Sequence, residues 1–179
     1  ALSGALGDPE SGRRAARLDR VRDAERFEAL RAETDALAAA GGRPSVAIVA
    51  LGSGEDHRAR VDYARRFFEL AGMSVSTVEA KTSDAIASAL GAGEAADVAV
   101  LASSDERYAN EGAEALARIR ASLPKAKIVL AGKAGPLAAA LDGVAPSGQI
   151  FLGCDAVSTL ASILQRIRAA RSTAGEVRR

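Results

Sequence analysis

His57 is the chain's only histidine. It closes the run Gly52-Ser53-Gly54-Glu55-Asp56-His57, which joins an apolar segment to a helical one. An imidazole placed there can bind a metal through a neutral ring nitrogen, with a nearby carboxylate such as Glu55 fixing the tautomer. It can also serve as a base for Ser53 or Cys154, or simply cap the helix and bind nothing. The glycines offer different chemistry: Gly52-Ser53-Gly54 could cradle a phosphate, with Glu79 as a ribose-binding acid. The third glycine of a dinucleotide fingerprint, however, would fall on His57. Hydrolysis is poorly supported, because no Gly-x-Ser-x-Gly elbow exists and Cys154 follows an apolar strand, where a small buried role is commoner. A phosphoacceptor would need an acid directly after the third strand, where Ser103 and Ser104 stand.

Positioning these residues requires strands, and the apolar runs supply them. Val46 to Leu51 is unbroken and reads as a strand buried on both faces. Asp56 is a plausible N-cap for the next helix, in which Val61, Ala64, Phe68 and Ala71 recur at helical spacing and Gly72 ends the pattern. Met73 to Val78 alternates like an edge strand. Thr82-Ser83-Asp84 starts a short helix carrying Ile86 and Leu90. Asp97 to Ala102, Lys127 to Ala131 and Gln149 to Leu152 are further apolar strands. Between them lie a helix with Ala113, Leu116 and Ile119, and a short alanine-rich helix after Pro136. Asp155 caps a last helix with Val157, Leu160, Leu164 and Ile167 on one face.

Strand then helix, five times over with short connections, predicts a flavodoxin-like (Rossmann-like) α/β fold. Its sheet is five-stranded and parallel, in the order 2-1-3-4-5. The candidate loops then converge on the rim at the carboxyl ends of the strands. Upstream, Arg17 to Ala40 reads as a helix with a stripe of Phe27, Leu30, Thr34 and Leu37, preceded by a short pair, Leu18 and Val21. Residues 1 to about 14 read as a linker or mobile arm. The expected organisation is a linker and N-terminal helix over 1–44, an α/β domain over 45–170 and a charged, fraying tail over 171–179.

The totals limit the function. A net charge of +1 argues against a surface that tracks nucleic-acid phosphates. One cysteine excludes an internal disulfide and points to a reducing compartment, with cytoplasm as the expected location. No apolar run approaches the roughly 20 residues of a membrane span. Aromatic residues make up 3% of the chain, so the core must be built from Val, Leu, Ile and Ala.

Several stretches resemble a known family. They are Arg26 to Arg31, Gly54 to Arg60 with Ala64 to Gly72, Ser103 to Ala109, Leu130 to Lys133, and Gly153-Cys154-Asp155. Together they make the region from Phe27 to Ile167 similar to the cobalamin-binding domain of the methylmalonyl-CoA mutase family. The likeness is greatest to the small, non-catalytic subunit of the heterodimeric bacterial enzyme. In cobalamin-binding members, Asp-x-His-x-x-Gly supplies the lower cobalt ligand, and Ser-x-Leu and Gly-Gly line the slot for the nucleotide tail. Matched position by position, His57 keeps the ligand and Glu55 replaces the aspartate, while Arg60 replaces the glycine. Ser103 keeps the serine and Asp105 replaces the leucine. Gly132 keeps the first glycine and Lys133 replaces the second.

The resemblance therefore implies a degenerate cobalamin-binding-like domain with a structural role in assembly. On that reading the chain has no cofactor or catalytic residue of its own and is a non-catalytic part of an isomerase. Adenosylcobalamin sits in its partner, the catalytic large subunit of a heterodimer, and no nucleic acid or membrane is involved. The acyl-CoA-binding barrel, which would need roughly 250 residues, is not in this chain. The alternatives are a working cobalamin domain with His57 on cobalt, or a small-nucleotide-binding enzyme domain using Gly52 and Gly54.

Overall fold

Apolar runs become strands, and the helices between them carry each strand to a parallel neighbour. The computed structural model describes residues 9–91, 95–133 and 146–176, with side chains from Ala24 to Thr173. The order of elements is α1 (Pro9–Gly41), β1 (Ser45–Leu51), α2 (Gly54–Glu69), β2 (Ser74–Ala80), a 3-10 turn (Ser83–Ala85) running into α3 (Ile86–Leu90), β3 (Val98–Ala102), α4 (Asp105–Ser122), β4 (Lys127–Ala131), β5 (Gly148–Ile150) and α5 (Ala156–Glu176). The five strands form one parallel sheet, β2-β1-β3-β4-β5, as expected. Val49 lies opposite Val78 on one side and Leu101 on the other, and Leu101 in turn faces Leu130.

Because side chains alternate along a strand, the sheet divides the core in two. Val46, Ile48, Ala50, Val100 and Val129 face α1, α2 and α5, where Leu30, Phe68, Leu160 and Leu164 cover them. Ala47, Val49, Leu51, Leu101 and Leu130 face α3 and α4, and meet Ile86, Leu90, Leu116 and Ile119. Strands covered on both sides read as continuous apolar runs, which is why β1, β3 and β4 are plain in the sequence. The edge strand β2 alternates between exposed and half-buried positions, as its sequence predicts.

The stripe on α1 packs as expected. Leu30, Thr34 and Leu37 are buried, and Phe27 lies against the same core. Ion pairs and hydrogen bonds lock the helix in place: Arg168 to Glu33 at 2.9 Å, Arg43 to Asp35 at 2.8 Å, and Arg31 Nε to the Leu70 carbonyl at 3.0 Å.

Four expectations need correction or fall elsewhere. Helix α1 begins at Pro9, well before Arg17, so part of the expected linker is helical; proline suits a first turn, where no intrahelical donor is needed. The side chains of Leu18 and Val21, residues 1–8 and the alanine-rich segment after Pro136 lie outside the described residues. Strand β5 stops at Ile150, and Leu152 is 87% exposed rather than part of an apolar strand. The chain turns there, with Gly153 at φ +92° and the Cys154 N–H donating to the Phe151 carbonyl at 3.0 Å. Finally, α5 continues through Glu176, and Arg171 does not fray: it donates to the Gly42 carbonyl at 2.7 Å and pairs with Asp97 at 2.9 Å.

Candidate functional site

The site begins where β1 ends. Gly52 leaves the strand at φ +95°, and its N–H donates to the Ala80 carbonyl of β2 at 2.9 Å. A Cβ at this position would come within 2.6 Å of the Asp56 carboxylate and 3.2 Å of Arg107 Nε, so this turn admits no side chain. Ser53, not Asp56, is the N-cap of α2. Asp56 lies in the first turn and reaches back, its carboxylate accepting from the Ser53 N–H at 2.8 Å and the Ser53 hydroxyl at 2.9 Å. It also accepts from the Ser104 hydroxyl at 3.3 Å and lies 3.6 Å from Arg107.

These bonds hold the Asp56 carboxyl below its ordinary pKa, the Ser53 backbone bond contributing most. An anion cradle at Gly52-Ser53-Gly54 would therefore meet a fixed negative charge, and the Ser53 N–H it would use is already taken. Glu79, the candidate ribose acid, is exposed at the end of β2. Arg107 extends the network through Glu111, whose carboxylate accepts the Ser83 N–H at 3.1 Å. The exits of β1 and β3 and the loop after β2 are thus tied to one another.

Arg60 organises the other half of the rim. From α2 it crosses to the β3 exit, where its guanidinium donates to the Ser103 carbonyl and, at 2.6 Å, to the Asp105 carboxylate. Its Cζ stands 5.1 Å from the centroid of the Tyr108 ring, within cation–π range. Gly132, at the β4 exit, lies directly beneath: a Cβ there would sit 3.2 Å from Arg60 Cζ. Burial alone would lower the pKa of Arg60, but the hydrogen bond it donates to Asp105, with the nearby Tyr108 and the Asp105 charge, prevails, and the direction is upward. Arg60, Ser103, Asp105 and Gly132 are thus brought together, with the guanidinium lying between Ser103 and Gly132.

Beneath Arg60, Tyr108 pins the strand ends. Its hydroxyl accepts the Ser103 N–H at 2.9 Å and lies 3.0 Å from the Leu101 carbonyl and 2.8 Å from that of Ala131, donating to one at a time. The Ser103 hydroxyl donates to the Leu51 carbonyl at 2.7 Å. Burial pushes the Tyr108 pKa up to about 12. Sequence reasoning passed over Tyr108 and Arg107. The rarity of tyrosine was the only hint, because the partners of both residues belong to other strands and loops.

The remaining candidates do not join this cluster through any hydrogen bond or ion pair seen among the described residues. His57 is buried in the first turns of α2, 7% exposed, and its Nδ1 has no hydrogen-bond partner. Glu55 points to solvent and does not reach the imidazole. Lys133 is exposed, its ammonium 5.0 Å from the Phe151 ring centroid, whereas Asp105 pairs with Arg60. Cys154 lies 3.7 Å from the Tyr63 hydroxyl, which donates to the Phe151 carbonyl at 2.7 Å. Burial first, then the cysteine, pushes the Tyr63 pKa up to about 12.

A parallel five-stranded sheet ordered 2-1-3-4-5, with its polar loops gathered at the carboxyl-end rim, defines a flavodoxin-like α/β module. In sequence, the chain is homologous to proteins named methylmalonyl-CoA mutase small subunit. That of Streptomyces virginiae is 40% identical over 155 residues, covering 84% of this chain and 23% of the relative. That of Propionibacterium freudenreichii subsp. shermanii is 32% identical over 153 residues, with the same two coverages. The chain thus spans 23% of the length of each of these relatives. No family model matches it. Among solved structures, a yeast Spc42 trimeric coiled-coil segment fused to another structure covers 74% of this chain at 15% identity. Its TM-score is 0.47. No helix among the described residues is long and apolar enough to cross a membrane.

Proposed function

We propose that this domain is a degenerate cobalamin-binding-like module of a methylmalonyl-CoA mutase small subunit, acting in architecture and assembly beside a catalytic large subunit that carries adenosylcobalamin. The observation that carries the reading is Arg60. A cobalamin slot must admit a bulky, largely apolar ring between the β3 and β4 exits. Here a guanidinium lies in that place, hydrogen-bonded to Ser103 and Asp105 and packed over Gly132. Displacing it would break its hydrogen bonds to the Ser103 carbonyl and the Asp105 carboxylate and its contact with the Tyr108 ring. The second support is the orphaned Nδ1 of His57. A ligating imidazole is normally oriented by a partner on its far nitrogen, and neither Glu55 nor any other described group provides one. The residues present therefore do not fit the cofactor.

On this reading the carboxyl-end rim is a structural seal, and the domain contributes to holding a heterodimer together. Optical titration of the 179-residue chain with cobalamin tests this directly. The expected result is no spectral change and no binding in His57→Ala or the parent. A tight complex with a histidine-ligated spectrum, lost in His57→Ala, would overturn the scaffold and establish a carrier. Co-purification with a catalytic large subunit, retained in His57→Ala, is the matching test of the assembly role.

A further inference from the structure

The opposite rim, where the strands begin, holds a cavity of about 380 Å³ between the starts of β3, β4 and β5 and the outer half of α5. Pockets of this order accommodate small organic molecules. Its lining combines the apolar Ile163 and Ile167 with Lys125, Lys127, Arg166 and Ser147. The acid in its wall, Asp97, is already engaged: it pairs with Arg171 at 2.9 Å and accepts the Ser45 N–H at 3.0 Å.

No carboxylate among the described residues is paired with Lys125, Lys127 or Arg166. Lys127 and Arg166 both line the cavity, and burial and then the neighbouring Arg166 charge lower the pKa of Lys127. Such an arrangement is unfavourable in the free protein and becomes favourable when a multiply charged anion enters. A single carboxylate would neutralise one of three cations; a phosphate monoester carries nearly two charges and three acceptor oxygens.

We propose that this amino-end pocket binds a small organic phosphate. Its phosphoryl group is held by Lys125, Lys127, Arg166 and the Ser147 hydroxyl, and its apolar body rests on Ile163 and Ile167. The site lies on the rim opposite His57 and Arg60, so it stands or falls independently of the scaffold reading.

The test titrates the 179-residue chain with phenyl phosphate, inorganic phosphate and phenol, following backbone amide chemical shifts. Phenyl phosphate is expected to saturate, with shifts confined to residues 96–97, 125–127, 147 and 163–171. Inorganic phosphate should bind severalfold more weakly, and phenol should produce no saturable shift. Lys127→Met and Arg166→Met should each weaken phenyl phosphate about tenfold, a step of 1.4 kcal/mol, whereas Lys81→Met should leave it unchanged. If a variant fails to fold, the shift map of the parent still decides. No saturation up to about 10 mM, well above a millimolar Kd, or shifts centred elsewhere, would overturn the site. Equal affinity for phosphate and phenyl phosphate would overturn the organic body.

Discussion

The two rims of one sheet treat their cations in opposite ways. At the carboxyl ends, Arg60 pairs with Asp105, and Arg107 is shared between Glu111 and Asp56. At the amino ends, Lys125, Lys127 and Arg166 surround a cavity, and the nearby carboxylate is committed to Arg171. In parallel α/β sheets ligands ordinarily enter at the carboxyl-end rim, beside the point where strand order reverses. Here, among the described residues of that rim, Arg60, Arg107 and Asp56 are already paired with the protein's own groups. Fold position alone therefore does not make a site; whether the polar groups there are already satisfied decides the matter.

The largest effect should come from removing the side chain beneath Arg60. Tyr108 is fully buried and holds three backbone groups through one hydroxyl. Tyr108→Ala is expected to cost about 3–5 kcal/mol, as for other large aromatic truncations in a core. Tyr108→Phe should cost about 1–3 kcal/mol, because the Ser103 N–H would remain buried without a partner. Denaturant unfolding checks both. Near-equal stability of Tyr108→Phe and the parent would mean that the hydroxyl is not the pin described above.

Alkaline titration should show the same pin by another route. Both tyrosines have folded pKa values raised to about 12. Each therefore favours folding below its unfolded value near 10, and that contribution is lost as pH rises from 10 through 12. Tyrosinate absorbance should stay low at pH 10 and appear together with unfolding above it. Early ionisation of one tyrosine in the folded chain would show that its ring is less buried than the packing indicates.

A smaller effect is expected at Arg60. Asp105 is largely exposed, so a double-mutant cycle of Arg60→Met and Asp105→Asn should give a coupling of about 0.2–1 kcal/mol, as for other exposed ion pairs. Most of the loss in Arg60→Met should instead come from the Ser103 carbonyl and the Tyr108 ring. Coupling near zero with no loss in Arg60→Met would reduce the plug to a surface ornament. Asp56 sharpens the comparison at low pH. Its depressed pKa contributes stability above the ordinary carboxylate range, and that is lost as pH falls through the lower folded value. Asp56→Asn should flatten the acid limb of the stability curve, which thermal melts across pH 2–5, bracketing the ordinary carboxylate range, would register. The smallest change is expected for His57→Ala, within about 1 kcal/mol, since the imidazole fills space but leaves Nδ1 unbonded.

The sequence determined the sheet. Runs such as Val46 to Leu51 are apolar at every position because helices cover both faces, and such a run can be read without knowing its neighbours. It also determined α2 and the stripe of α1, whose apolar periodicity is local. It named Arg60, Ser103, Asp105 and Gly132 as candidates, and their convergence follows from strand order once the strands are known. Tertiary structure decided the rest. Asp105 could have paired with Lys133 or Arg60, and only the path of α2 past the β3 exit selects Arg60. The sequence placed Asp56 at the cap, whereas the fold uses it one turn inside as the partner of Ser53 and Ser104. The opening of α1 at Pro9 and the anchoring of Arg171 were equally hidden, because helix ends depend on what packs beside them. The contacts of Tyr108 were the least legible. Its hydroxyl joins residues from two strands and a loop, and no spacing along the chain encodes a meeting that the sheet alone creates.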